Sequence, residues 1–333
     1  MKSLLFLCCI LLATAAQAAD GGYHVVKTLR IGGDGGWDYS AVDAAARRLY
    51  VSRGTHVTVL DLDTGRIAGD LPDTPGVHGI AVAPGLNRGF TSNGRANSST
   101  VFDLKSLKKI GEIKTGAGPD AIVYEPVTGQ VFTFNGRSHD ATVFGAESGE
   151  VAGTIPLGGK PEFAAVDGMG AVFVNIEDTD EVVEIDAASR RIVRRISIKP
   201  CDEPAGMAID PRQGRVFSGC HNRMMTVLDV GRQKVVATVP IGAHVDANGF
   251  DPETGLIFSS NGDGTLTVVR EASPGKFEVA ETVPTRRGCR TMAIDPKTHT
   301  LYLPAARFNP PPAGSRNRPA MIPGSFEILV VGR

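Results

Sequence analysis

What the chain lacks narrows its chemistry first. It has one Trp and 6% aromatics in 333 residues, and its 35 basic and 36 acidic side chains nearly cancel. A groove for single-stranded nucleic acid needs clustered Lys and Arg with exposed aromatic platforms, and this composition supplies neither in quantity. No HExxH, G-x-S-x-G, P-loop or Cys-x-x-Cys occurs, so no local catalytic signature is present. Gly32-Gly33-Asp34-Gly35-Gly36 lacks the following helix that phosphate binding needs and reads as a loop. Cysteine is scarce at five residues, and beyond the first eighteen residues no apolar run is long enough to span a bilayer.

What is present is a repeat. An aromatic inside a short hydrophobic run recurs at Tyr50, Phe90, Phe132, Phe173, Phe217, Phe258 and Tyr302, at intervals of 40, 42, 41, 44, 41 and 44 residues. Each copy holds four strand-like runs, as in Met207–Ile209, Arg215–Ser218, Met225–Leu228 and Val235–Val239, too short and too β-branched for helices. Asp-Pro or a relative (Glu125-Pro126, Asp210-Pro211, Asp251-Pro252, Asp295-Pro296) divides the first two runs, and Pro with Gly shapes tight hairpins. Seven such copies predict an all-β fold, a seven-bladed β-propeller of four-stranded blades.

The ends of the chain complete this count. His24–Gly32 reads like the fourth strands at Glu150–Gly158 and Lys234–Gly242, but has no blade of its own. Phe326–Gly332 reads as a third strand with no fourth after it. The N-terminal strand is therefore expected to join the C-terminal blade, pairing an edge that would otherwise stay open.

Ahead of that strand, Lys2, the apolar stretch Leu4–Ala13 and Ala16-Gln17-Ala18 form a signal-peptide pattern with cleavage expected after Ala18. That makes residues 1–18 a leader and 19–333 one propeller domain, exported to the periplasm or beyond and expected to be monomeric. Loss of Lys2 leaves 34 basic against 36 acidic side chains. Cys8 and Cys9 leave with the leader. Cys201 precedes the first strand of blade five and Cys220 follows its second, connections that emerge on one face, so a Cys201–Cys220 disulfide is expected in an oxidising compartment. Cys289 is left over.

The candidate site comes from register. Five positions before the inner-strand turn residue lie Asp38, His78, Asp120, Glu162, Ala205, Asp246 and Arg290, all expected in the innermost strands around the central channel. Inward positions of a small closed ring ordinarily favour small apolar side chains, so four carboxylates, a His and an Arg mark a ligand-binding ring. Asp38, His78, Asp120 and Glu162, from consecutive blades, are candidate ligands for a divalent metal ion; a ligand ammonium group would relieve the same charge. The alternative is a water-filled channel whose groups pair with one another.

Two further features face the same end. Asn93-Gly94, Asn135-Gly136 and Asn261-Gly262 follow second strands and read as hairpin turns, since both residues tolerate positive φ. In blade seven that connection is the long loop 304–325, rich in Pro, with Arg307, Arg316 and Arg318 as a basic rim over the channel face.

The stretches Cys201-Asp202-Glu203-Pro204-Ala205-Gly206, Gly219-Cys220-His221-Asn222, Ser259-Ser260-Asn261-Gly262-Asp263-Gly264 and Asp295-Pro296-Lys297-Thr298-His299, with the seven repeats and the leader, resemble the YncE-like family of exported bacterial propellers with YVTN repeats. The resemblance covers about residues 23 to 333. It implies little chemistry: members mostly lack an assigned reaction, and one is reported to associate with single-stranded DNA. The expectation is a binding module for a small molecule, metal ion or envelope partner at the funnel, rather than an enzyme. A metal-dependent hydrolase or lactonase using the ring comes second, and single-stranded DNA binding third.

Overall fold

The structure is a computed structural model that describes residues 21–309 and 320–333. The expected leader, residues 1–18, and the rim residues Arg316 and Arg318 lie outside that range. Seven four-stranded antiparallel sheets form the ring. Six are consecutive in the chain, spanning 40–71, 77–114, 119–156, 161–197, 204–240 and 245–284. The seventh takes Ala293–Asp295, Thr300–Ala305 and Glu327–Gly332 from the C-terminal end and its fourth strand, His24–Arg30, from the other. These two terminal strands run antiparallel with Thr28 opposite Leu329, the closure the sequence called for. No helix among the described residues is long and apolar enough to cross a membrane.

The recurring aromatics explain why blades stack. All seven, from Tyr50 to Tyr302, are at most 5% exposed, and each apolar cluster joins residues of neighbouring blades, as Tyr50, Ile80 and Phe102 do between blades one and two. A blade has two apolar faces and cannot bury them alone; a ring buries all of them, at about 2 kcal/mol or more for each large side chain covered.

Turn chemistry is regular. The Asp43 carboxylate accepts from the amides of Ala45 and Ala46, and Glu125 from Val127 and Thr128. Asp210 accepts from Arg212 and Gln213, and Asp295 from Lys297. These carboxylates are structural.

The Asn-Gly pairs are turns of another kind than expected. Neither Asn93 nor Gly94 has positive φ; the left-handed residue comes later, Asn97 at φ 52°, His139 at 55° and Gly264 at 99° in the three loops. The Asn side chain is the working part. Buried Asn93 donates to Ser98 Oγ and Thr100 Oγ1, and Asn261 to Thr265 and Thr267, so each ties the second strand to the third. Gly94 is small for a different reason: a Cβ there would stand 2.9 Å from the His78 ring.

The glycine-rich loop also has a structural role. Gly32 and Asp34 present carbonyls to the guanidinium of Arg53, which is 2% exposed and lies 3.5 Å from the centre of the Phe326 ring. Burial lowers the Arg53 pKa to about 10. Cys201 and Cys220 are disulfide-bonded, and Cys289 is free and buried, its thiol pushed up to about 12 by desolvation.

Candidate functional site

The mouth of the channel lies where the inner strands begin. His78, Asp120, Glu162, Ala205 and Asp246 are the second residues of Val77–Ala83, Pro119–Glu125, Pro161–Val166, Pro204–Asp210 and Val245–Asp251. Asp38 and Arg290 differ from expectation: they stand just ahead of the shortened inner strands Ser40–Asp43 and Ala293–Asp295. In blades two to six the pairing with the second strand slips at the ring residue, as between Val77 and Ile80 or Pro119 and Ile122. Such a bulge bends the strand and re-aims a side chain, here into the channel. It also frees backbone groups, which neighbouring blades satisfy: Ser92 Oγ donates to Asp120 O, Asn175 to Ala205 O, and Thr291 Oγ1 to Asp38 O.

The ring residues divide into three groups. Asp38, His78 and Asp120 come together, with one donor atom of each within 4.8 Å of the others. His78 Nδ1 is 2.6 Å from Asp38 Oδ2 and 3.7 Å from Asp120 Oδ1. Glu162 stands apart, its carboxylate 3.4 Å from Lys160 Nζ, which also pairs with Glu177. Asp246 and Arg290 form the third group at 2.8 Å.

Electrostatics follow from this crowding. The hydrogen bond to Asp38 raises His78 to about 9. Desolvation first, then repulsion from Glu162, lifts Asp120 to about 7. Burial likewise lifts Glu162 and Asp246 to about 7 against the opposing pull of Lys160 and Arg290. Asp120 Oδ1 is buried with no hydrogen-bond partner among the described residues, the condition of an acceptor awaiting a cation or a donor; Glu162 Oε2 has Lys160 Nζ at 3.4 Å.

Three features escaped the sequence reading. One residue deeper than the ring, the blades carry Tyr39, Gly79, Ala121, Phe163, Gly206, Ala247 and Thr291. The two aromatics, from blades one and four on opposing sides of the ring, meet across it with centroids 5.0 Å apart. Two rings among five small residues at one repeat position were the available signal. Burial and the surrounding carboxylates hold the Tyr39 hydroxyl well above its ordinary pKa. The third feature is a second group at the mouth, Glu177, Glu203 and His221, mutually within 4.8 Å. It is more exposed, with Glu177 already engaged by Lys160 and His221 Nδ1 2.8 Å from Glu203.

Of the rim arginines, Arg307 is described. Its carbonyl accepts from Ile322 and its amide donates to Ser325 Oγ, while Phe308 bridges Met321 and packs on Trp37 at 6.0 Å. The base of loop 304–325 is thus anchored beside blade one, next to Asp38.

No family model matches the chain, and no curated protein does. Among solved structures, U3-55K superposes with a TM-score of 0.78 at 8% identity, over 92% of this chain and 99% of that one. A chain of the Kuenenia stuttgartiensis hydrazine synthase superposes with a TM-score of 0.52 at 18% identity, over 71% and 96%. At such identities the likeness is one of fold.

Proposed function

We propose that this protein is an exported propeller of the YncE-like kind that binds a divalent cation at its channel mouth, held by Asp38, His78 and Asp120. The observation that carries the reading is the convergence of one imidazole and two carboxylates from three consecutive blades within 4.8 Å, beside a buried Asp120 oxygen that lacks a partner. One nitrogen and two carboxylate oxygens suit Zn2+ or Mn2+. Glu162 belongs to the same mouth but is paired with Lys160 and stands outside the three-ligand group. The disulfide fits an oxidising compartment, and the acidic mouth repels a phosphodiester backbone.

Isothermal titration with Mn2+ and Zn2+ is the direct test. The metal must displace the His78 proton, so affinity should rise about tenfold per pH unit between about pH 7 and 9, and more steeply below about pH 7, where Asp120 also holds a proton. Asp120→Asn should weaken binding by at least about tenfold. Equal affinity in wild type and Asp120→Asn would remove the cation from the ring. N-terminal sequencing of the secreted chain tests export, a first residue at Ala19 being the expected result.

A second reading, a metal-dependent hydrolase or lactonase, draws on Asp246 and Glu162. Carboxyls titrating at about 7 are matched to general acid–base work at neutral pH. Turnover of ester or lactone substrates that vanishes in Asp246→Asn while Mn2+ binding persists would move the protein from carrier to enzyme.

A further inference from the structure

The seam where the ring closes holds a second site, of opposite charge. A cavity of about 520 Å3 opens there, within the range of small-molecule pockets. Its charged lining is Arg30 at the end of the N-terminal strand, Arg286 from the connection into blade seven, Arg307 at the base of the long loop, and Glu327 at the start of the last strand. In blade two the equivalent second-to-third-strand connection runs only from Asn93 to Ser98. Here the described ends of the connection, Arg307 and Gly324 to Glu327, line a hollow together with Arg30 of the borrowed strand.

Charge in this hollow is unbalanced. Glu327, the one carboxylate in the lining, is held by Arg286 at 2.5 Å. Arg30 and Arg307 have no ion-pair partner among the described residues, and segment 310–319 contains no Asp or Glu that could supply one. The wall behind them is fixed. Phe326 lies between Trp37, at 5.4 Å, and the buried Arg53 guanidinium, and Ser325 Oγ bonds both to the amide and to the carbonyl of Arg307. Arg30 and Arg307 are exposed and line this one cavity, and guanidinium groups are the donors that grip a carboxylate or phosphate in bidentate fashion.

We infer that the blade-seven seam is an anion site, in which Arg30 and Arg307 bind a doubly charged oxyanion, a phosphate or a paired carboxylate group on a small molecule, while Glu327 buffers Arg286. This goes beyond cation binding at the ring and does not depend on it. Glu327 also sets a price on anions by repulsion, so its removal should tighten binding.

The test is calorimetric titration of the intact protein with inorganic phosphate and, separately, with malonate. Saturable binding of one or both is expected, weakened about tenfold or more by Arg30→Gln and by Arg307→Gln. Glu327→Gln should strengthen it, a gain that a misfolded variant could not give. Asp120→Asn should leave it unchanged, which separates this site from the ring. The stronger of the two probes names the class of anion. Absence of saturation by either anion up to about 10 mM, affinity indifferent to both Arg variants, or no gain in Glu327→Gln would overturn the assignment.

Discussion

In blades one, three, four and six the inner segment has a carboxylate both at the mouth and at the turn, and the two ends treat the same chemical group in opposite ways. In blade three Glu125, at the turn, is fully buried yet accepts from two backbone amides and the Thr128 hydroxyl. Asp120, five residues earlier at the mouth, keeps one oxygen without a hydrogen-bond donor and faces His78 and Glu162. Burial alone therefore does not tell a structural acid from a functional one. The supply of local donors does: where the turn provides amides the negative charge is stabilised on folding, and where a bulge turns the side chain toward other acids it is not.

The comparison breaks most visibly at Asp295. This fully buried turn acid holds Arg47 from blade one, which keeps its carboxyl pKa below the ordinary range. Asp295→Ala should cost about 2–3 kcal/mol by removing the acceptor of the Lys297 amide and the Thr298 hydroxyl and one of the two carboxylates that hold Arg47, read as a lower denaturant midpoint. Glu125→Gln keeps the size but gives the amides a weaker acceptor, and a loss of about 1–2 kcal/mol is expected. Asp120→Asn should do the reverse, raising the thermal midpoint at pH 8 by the equivalent of about 0.5 kcal/mol in metal-free protein. A loss as large as that of Glu125→Gln would place Asp120 among the structural acids.

A slope with pH also follows from the same comparison. Asp120, Glu162 and Asp246 are raised in the folded state from near 4 to about 7, so the native protein holds protons that the unfolded chain releases. Their contribution is fully present below about pH 4 and is lost as pH rises to about 7. His78, raised to about 9, loses its own between about 6.5 and 9. The metal-free protein should melt lower at pH 8 than at pH 5, and Mn2+ should narrow that gap. A flat profile between these pH values would mean that the mouth acids are already neutralised.

The fold was open to sequence reading because the repeat states its period and its turns in residues that act locally: Asp-Pro, the buried aromatics, and the spare strand at 24–30. The ring was legible for the same reason, since counting back from the turn places Asp38 through Arg290 at the mouth. Partner choice was not. Nothing local in Glu162 says that Glu177 will share its Lys160 partner, because Glu177 arrives from the far end of the second strand. Asn93-Gly94 misled for a related reason. The pair is a favoured turn dipeptide, but its amide is used across the hairpin and its missing Cβ makes room for His78, both tertiary facts.

The contact of Tyr39 with Phe163 across the axis bears on kinetics. It narrows the passage just below the ring, so whatever sits lowest and leaves by the mouth must leave after whatever sits above it. A cation seated at Asp38, His78 and Asp120 would be retained for as long as a bulkier guest occupied the entrance. Its dwell time would then depend on the concentration of that second guest, although the two need never touch.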